Sequence, residues 1–378
     1  MASPFFKILL LDDNNKQDIT KKFDNRLISM TFVDNNGFQA DTITLVIDDS
    51  DQKINLPKKG VKLEITLGWS ADNKRTTMDN QEEVIFEANI KNVFTITQVT
   101  HSGTPDIITI QGTSANLSGE IISVNREESY DNITLGNLIA TIAKRNNLTY
   151  RYDKEIGSKY IPHIDQTRES DSSFLTRLID EYGGGITVKN DILIVFNKGL
   201  GITVNGKTIP PAKIKRESGN SHSYTISNRN QYAGVQTFWY NYKNPTKEPQ
   251  KIIYKEQLDK SSVYYEGSKD KIKVLRNIFA NKESAIEAAK SEMKKIQRGT
   301  AFFKLKLALG RPDLFTEMPV EVTGFKPEIN STQWTIAKCT HSLSKQSGFT
   351  TEVELEIKPQ EQSYENILPT KKPKGTVK

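Results

Sequence analysis

The strictest constraint on this chain is alternation. Val61, Leu63, Ile65 and Leu67 are separated by Lys62, Glu64 and Thr66, and far downstream Phe303, Leu305, Leu307 and Leu309 alternate with Lys304, Lys306 and Ala308. Side chains on extended backbone point to opposite faces in turn, so a period of two makes a strand with one buried and one wet face. The same reading predicts strands at 41–47, 84–88, 94–100 and 107–111 in the first 120 residues. Near the other end it predicts strands at 232–242, 320–323, 334–340 and 351–357. The polar stretch 68–81 reads as a long hairpin loop, and His101 to Pro105 supplies Gly and Pro turn chemistry. An antiparallel barrel or sandwich is the natural packing for such segments.

The period changes near Asp131. Leu135, Leu138, Ile139 and Ile142 fall at helical spacing, with Thr134 placed as N-cap and Asn146 and Asn147 ending the run. Phe174, Leu175, Leu178, Ile179 and Tyr182 form the stripe of a second helix, capped by Ser170 or Asp171. Gly183, Gly184 and Gly185 stop that helix, since glycine adopts the left-handed conformation past a helix end. Residues 186–189 and 192–196, joined by Asn190 and Asp191, then read as a tight hairpin. This places a small α+β module between two β regions, with Pro210 and Pro211 as a boundary element. One more helix, with Ile286, Ala289, Met293 and Ile296 on one face, is predicted between Asn281 and Gly299. The lysine-rich stretch 244–270 reads as loops and short edge strands, and the tail after Pro359 ends in a basic run.

Composition narrows the class. The 378 residues suffice for two or three domains, and 36% hydrophobic with 26% charged residues describes a soluble globular chain. The net charge of +6 is spread among acidic residues and singles out no nucleic acid. A single cysteine, Cys339 in a predicted strand, excludes an internal disulfide and a cysteine-based zinc site. The N-terminal apolar run is too short for a signal peptide, and no stretch approaches a membrane span, so folding in a cytosol is expected.

The two β regions echo one another. Ile96-Thr-Gln-Val-Thr-His-Ser102 resembles Ile336-Ala-Lys-Cys-Thr-His-Ser342, and each is followed by a Gly-containing turn and a strand. A duplication of one β unit accounts for this pattern.

Catalytic chemistry is sparse. Of the four histidines, His101 and His341 occupy matching places in the echo, beside turns, and read as hydrogen-bonded structural groups; His163 and His222 stand apart. The spacing patterns of zincins, serine-esterase elbows and phosphate-binding loops are absent. Asp165, Glu169, Asp171, Asp180 and Glu181 cluster around the second helix, where a glycosidase pair would need only two carboxylates; a cap or dipole role for Asp171 and a solvated face for Glu181 fit better. Phe238, Trp239, Tyr240 and Tyr242 could stack bases or sugars, but in a strand they divide between core and an interface. No catalytic, cofactor-binding or metal-binding residue is assigned, and no cofactor is expected.

Four blocks carry a family resemblance. Gln166-Thr-Arg-Glu-Ser-Asp-Ser-Ser-Phe-Leu-Thr-Arg-Leu-Ile179 is similar to the Q-x-x-E-S-D-x-x-F-L-x-R-L run of the phage late control D family, and the hairpin after Gly185 follows as it does there. Tyr232 to Trp239 is the second block, and Ser284 to Lys290 with Arg298, Gly299 and the strand 301–309 is the third. Gly324, Phe325, Trp334 to Ile336, Thr340 to Ser342 and Gly348 to Glu352 make the fourth. The series keeps the family's order from about residue 85 to 358. That family comprises tail-hub proteins related to the N-terminal part of valine-glycine-repeat spike proteins of type VI secretion.

The resemblance implies a mainly β fold with an α+β insertion: two tube-like antiparallel β-barrel domains, 1–120 and 216–358, flanking a module at 121–215, with a mobile basic tail at 359–378. It implies a non-enzymatic homotrimer in the tail baseplate of a virion, assembled in the host cytoplasm. The expected partners are the tail spike protein, the tail tube or tube-initiator protein and other baseplate subunits, with no specific nucleic acid and no direct membrane insertion. A hub of an extracellular injection particle is the alternative within this class, separable by genomic neighbours. A tail-associated peptidoglycan hydrolase is the alternative outside it, separable by zymogram.

Overall fold

The computed structural model describes residues 3–12, 15–70, 89–114, 120–217, 219–227, 232–240, 250–255 and 271–359, together with the backbone of 74–76 and 82–84. The predicted strand at 84–88 therefore falls outside the described residues beyond Val84, as do Tyr242, most of 244–270 and the tail after Pro359.

The chain is mainly β, built on one thirteen-stranded sheet. From one end its strands run Ser221–Ile226, Ala301–Leu307, Gly348–Ile357, Trp334–Ser344, Leu27–Asp34, Thr42–Asp48, Ile107–Thr113, Ile90–Ser102, Lys62–Trp69, Pro4–Asp12 and Asn15–Asp18. Pro319–Thr323 pairs with the start of Trp334–Ser344 and carries Ala212–Lys215 in parallel on its far side. The mainly β expectation holds, and the two regions expected as tube-like barrel domains share one sheet. The two β regions run into one another, and among the described residues no pairing closes either half into a barrel. The cause is the length of Trp334–Ser344. Its first residues pair with Pro319–Thr323, and the rest, from Cys339 to Ser344, pair with Ser29 to Asp34 of the N-terminal region.

Each half still has its own core. Met30, Phe32, Ile43, Leu45, Leu63, Ile65, Phe94 and Ile108 pack in the first, and Phe303, Leu305, Val320, Val322, Trp334, Ile336 and Val353 in the second. The strand Ala301–Leu307 buries every other residue, as the alternation predicts. Trp334 is fully buried with its indole N–H donated to the Ile329 carbonyl at 3.0 Å, so a large ring is accommodated with its polar edge satisfied.

Helices Leu135–Arg145 and Asp171–Glu181 lie where the periodicity puts them. Thr134 Oγ1 accepts from the Asn137 amide at 3.3 Å and Ser170 Oγ from the Ser173 amide at 3.3 Å. Gly183 takes φ +73°, and Asn190 and Asp191 take φ +50° and +59° in the turn between Gly184–Lys189 and Ile192–Asn197. Their apolar stripes share a core with that hairpin: Leu138, Ile142, Phe174, Leu178, Val188 and Val195. Thr149–Tyr152 adds a third strand, parallel to Ile192–Asn197. A two-stranded arm, Asn125–Thr134 against Tyr160–Ser170, completes this region. A further three-stranded sheet, Gln250–Lys255, Gly234–Trp239 and Ile272–Phe279, is covered on one face by helix Lys282–Arg298. Asn281 Oδ1 caps that helix at 2.7 Å from the Ser284 amide.

Candidate functional site

The structure brings the sequence echo together with the line where the two halves of the large sheet meet. In the hairpin Ile90–Ser102/Ile107–Thr113 the register slips by one residue between Ile96 and Gln98. In the hairpin Trp334–Ser344/Gly348–Ile357 it slips between Ile336 and Lys338, the matching place. Gln98 then faces Gln111 and His101 faces Ile108 in one, as Lys338 faces Glu354 and His341 faces Thr351 in the other.

The correspondence spreads outward from these hairpins. Thr42–Asp48 flanks the first and Ala301–Leu307 the second, placing Ile43 and Phe303 in equivalent positions. Leu27–Asp34 and Ser221–Ile226 come next, with Phe32 equivalent to Tyr224. On the other side the Ile96 amide donates to Val61 O at 2.8 Å and the Ile336 amide to Met318 O at 3.0 Å. Leu63 then faces Phe94 as Val320 faces Trp334. Five strands thus recur in the same order and register. Leu63-Glu-Ile-Thr66 and Val320-Glu-Val-Thr323 form a second sequence echo, which the reading of the sequence missed.

At the junction itself, His341 faces Phe32 across the strands and stacks on it, ring centroids 5.8 Å apart and planes 9° from parallel. His341 is fully buried, with Nδ1 2.9 Å from Thr351 Oγ1 and Nε2 3.3 Å from Leu314 O and 3.2 Å from Cys339 Sγ. Burial holds the imidazole down at about 4 and pushes the Cys339 thiol well up, so both are neutral there. Next to them Asp34, 3% exposed, accepts from the Thr316 amide at 2.8 Å and from Thr316 Oγ1 at 3.1 Å. Lys189, from the hairpin of the middle region, donates to the same Asp34 carboxylate and lies 3.4 Å from Asp41. Burial pushes Asp41 up to about 7 against the pull of Lys189. Burial also opposes charge on Lys189, but Asp34 and Asp41 outweigh it and hold the amine above its ordinary value. One partly buried lysine therefore ties the middle region to the seam of the sheet.

The other singled-out residues lie elsewhere. His101 is half-exposed, 3.8 Å from Asp49, unlike its buried counterpart. His222 sits edge-on to Phe303 and Phe325, and exposed His163 lies between Asp131 and Asp165. Asp171 is fully buried among Arg145, Gln166 and Asn146, Glu169 binds Arg177, and Asp180 accepts from Lys295 at 2.5 Å. Glu181 is raised by burial in a shallow cleft beside Lys295 and Glu292. Trp239 packs against Ile252, Phe279 and the Lys282–Arg298 helix, so the aromatic run contributes to a core. Among the described residues no group of histidine, cysteine and carboxylate side chains is arranged to hold a metal ion, and no helix is long and apolar enough to cross a membrane.

Proteins similar to this chain include phage tail components. The sequence profile of the phage tail baseplate hub (GPD) family matches residues 94–347. A "Probable baseplate hub protein" of Escherichia phage 186 is 37% identical, aligned over 96% of this chain and 95% of that one. In fold, a tail protein from Neisseria meningitidis MC58 matches with a TM-score of 0.62 at 14% identity, covering 93% of this chain and 96% of the other. A component of the Escherichia coli type VI secretion system, described as structurally similar to the phage T4 tail proteins gp27 and gp5, matches with a TM-score of 0.51 at 12% identity, covering 91% and 76%. With a family profile spanning most of the chain and a relative sharing more than a third of its residues end to end, this chain belongs to the phage tail baseplate hub family.

Proposed function

We propose that the chain is a structural hub of the tail baseplate, assembled as a homotrimeric ring that joins the tail tube above to the central spike below and carries no catalysis of its own. The observation that supports this is the five-strand unit repeated within one chain at the same register. Three chains would present six similar units to a six-fold tube while keeping three-fold symmetry for a trimeric spike. The middle α+β region would then decorate the ring, and the contacts to tube and spike would be extended surfaces rather than pockets. The partners are the spike protein, the tube or tube-initiator protein and neighbouring baseplate subunits. The test is the solution mass by light scattering after size exclusion, alone and with a spike protein from the same source. A mass near three times 42.7 kDa, plus any bound spike, is expected. A monomer in both preparations refutes the ring.

A further inference from the structure

The repeat leaves two strand edges without the neighbour that their counterparts have. Within the chain, Cys339 to Ser344 pairs with Ser29 to Asp34 beyond the point where Pro319–Thr323 ends. In the first unit, Lys62–Trp69 pairs with Pro4–Asp12 on one edge and with Ile90 to Thr95 on the other, and among the described residues no strand continues on that side along Gln98 to Ser102. In the second unit, Ser221–Ile226, the counterpart of Leu27–Asp34, is the last strand of the sheet. Resting on the ring reading above, we infer that these two edges meet between copies: strand Ser221–Ile226 of one chain pairs antiparallel with residues 98–102 of the next, repeating the internal seam.

The register is fixed by the internal copy. Cys339 faces Asp34, Thr340 faces Val33 and His341 faces Phe32 inside the chain. Carried onto the equivalent residues, Val99 faces Ile226, Thr100 faces Thr225 and His101 faces Tyr224. Val99 already packs against the first core, and Ile226 is 50% exposed in the isolated chain, so their pairing buries an apolar side chain that otherwise sits in water. His101 and Tyr224 would reproduce the His341–Phe32 stack. This gives exposed His101 a partner that matches its buried counterpart.

The chemistry of the edges agrees. Free edge strands usually carry charges, proline or a short length that discourages pairing. Asn15–Asp18, at the opposite end of the sheet, has four residues with Lys16 and Asp18 among them. Ser221–Ile226 has six residues, Ser-His-Ser-Tyr-Thr-Ile, without lysine, acid or proline, and Gln98-Val-Thr-His-Ser102 is equally free of them. Both stand out in a chain that is 26% charged. One edge at each end of a repeated unit makes a head-to-tail contact, the kind that closes a ring when the rotation allows.

The test uses full-length chains in whichever preparation, with or without the spike, the wild type associates. Ser102→Cys with Ser223→Cys, residues placed opposite by this register, should form disulfide-linked oligomers on mild oxidation. Ser102→Cys with Ser221→Cys, two residues out of register, should not; the native Cys339 is buried and silent in both. Thr100→Lys with Thr225→Lys, both at exposed sites, should shift the mass to monomer, and Thr100→Lys with Thr225→Glu should restore the oligomer. A trimer that ignores the lysine pair and fails to cross-link at 102 and 223 overturns the seam but leaves the ring. A wild type that never associates overturns both.

Discussion

The two carboxylates around Lys189 are predicted to respond in opposite ways to removal of their charge. Asp34 accepts two hydrogen bonds from Thr316 besides the lysine, whereas Asp41 has one carboxylate oxygen with no hydrogen-bond partner. Asp41 has an ordinary value of 3.8, is pushed to about 7 in the folded chain, and its protonated form can donate to Asp34. For an acid whose folded value is raised, the folded state holds the proton more tightly. Its contribution is therefore fully present below about pH 4, is lost as pH rises towards 7, and stays lost above. The shift corresponds to roughly 4 kcal/mol in all, with about 2 to 3 kcal/mol falling between about pH 5 and pH 8. Asp41→Asn mimics the protonated acid and should abolish this slope, gaining about 2 to 3 kcal/mol on wild type across that window. Asp34→Asn at neutral pH should instead cost about 1 to 3 kcal/mol, because it takes the nearer carboxylate from partly buried Lys189 and weakens the acceptor for both Thr316 bonds. His341 acts in the opposite direction. Its folded value is depressed to about 4, so its stability is present above its ordinary value of 6.5 and is lost as pH falls towards 4. Because His341 is common to both proteins, it cancels from their difference. The assay is urea unfolding followed by tryptophan fluorescence at each pH, comparing midpoints at equal slope. Parallel pH curves for wild type and Asp41→Asn, or equal damage from both asparagine variants at neutral pH, would refute this reasoning.

Three further outcomes follow from packing. Phe303→Ala empties a fully buried ring position beside Trp334 and should cost about 3 to 5 kcal/mol in the same denaturation assay. Gly310→Ala would set its new methyl 2.4 Å from the Phe349 ring, and a loss of about 1 to 3 kcal/mol is expected as that ring is forced to move. The Cys339 thiol, buried and raised by burial, should resist a thiol reagent in native buffer and react once in full after denaturation; rapid native labelling would contradict its placement.

What the sequence made legible is what local chemistry controls. Thr134, Ser170 and Asn281 cap their helices as side chains of that type do, and Asn190 with Asp191 turns the hairpin because both tolerate positive φ. The strand Leu27–Asp34 was not legible. A register slip after Leu27 interrupts its alternation, and its last inward residue is Asp34, charged because Lys189 arrives from a region distant in sequence. The arm of Asn125–Thr134 and Tyr160–Ser170 was also hidden, since its apolar residues, Tyr130, Ile133, Ile161 and Ile164, are three apart within each strand and break the period of two. The merging of two β regions depends on which edges meet, and spacing along one chain carries no record of that. The echo at His101 and His341 did mark the junction. It could not say that one histidine would be buried and the other left half-exposed.

The pairing of Leu27–Asp34 with Trp334–Ser344 also sets a timetable for synthesis. The two strands lie roughly 300 residues apart, so at about 5 to 20 residues per second the first waits on the order of 15 to 60 seconds for the second. Through that interval a strand with Met30 and Phe32 on its inner face has no permanent neighbour on one edge. A nascent chain on an adjacent ribosome offers the same missing strand, and capture there would join two chains by an exchanged element. Slow, dilute expression should therefore raise the yield of correctly closed chains. Crowded expression should feed a swapped, aggregation-prone population before any baseplate begins to assemble.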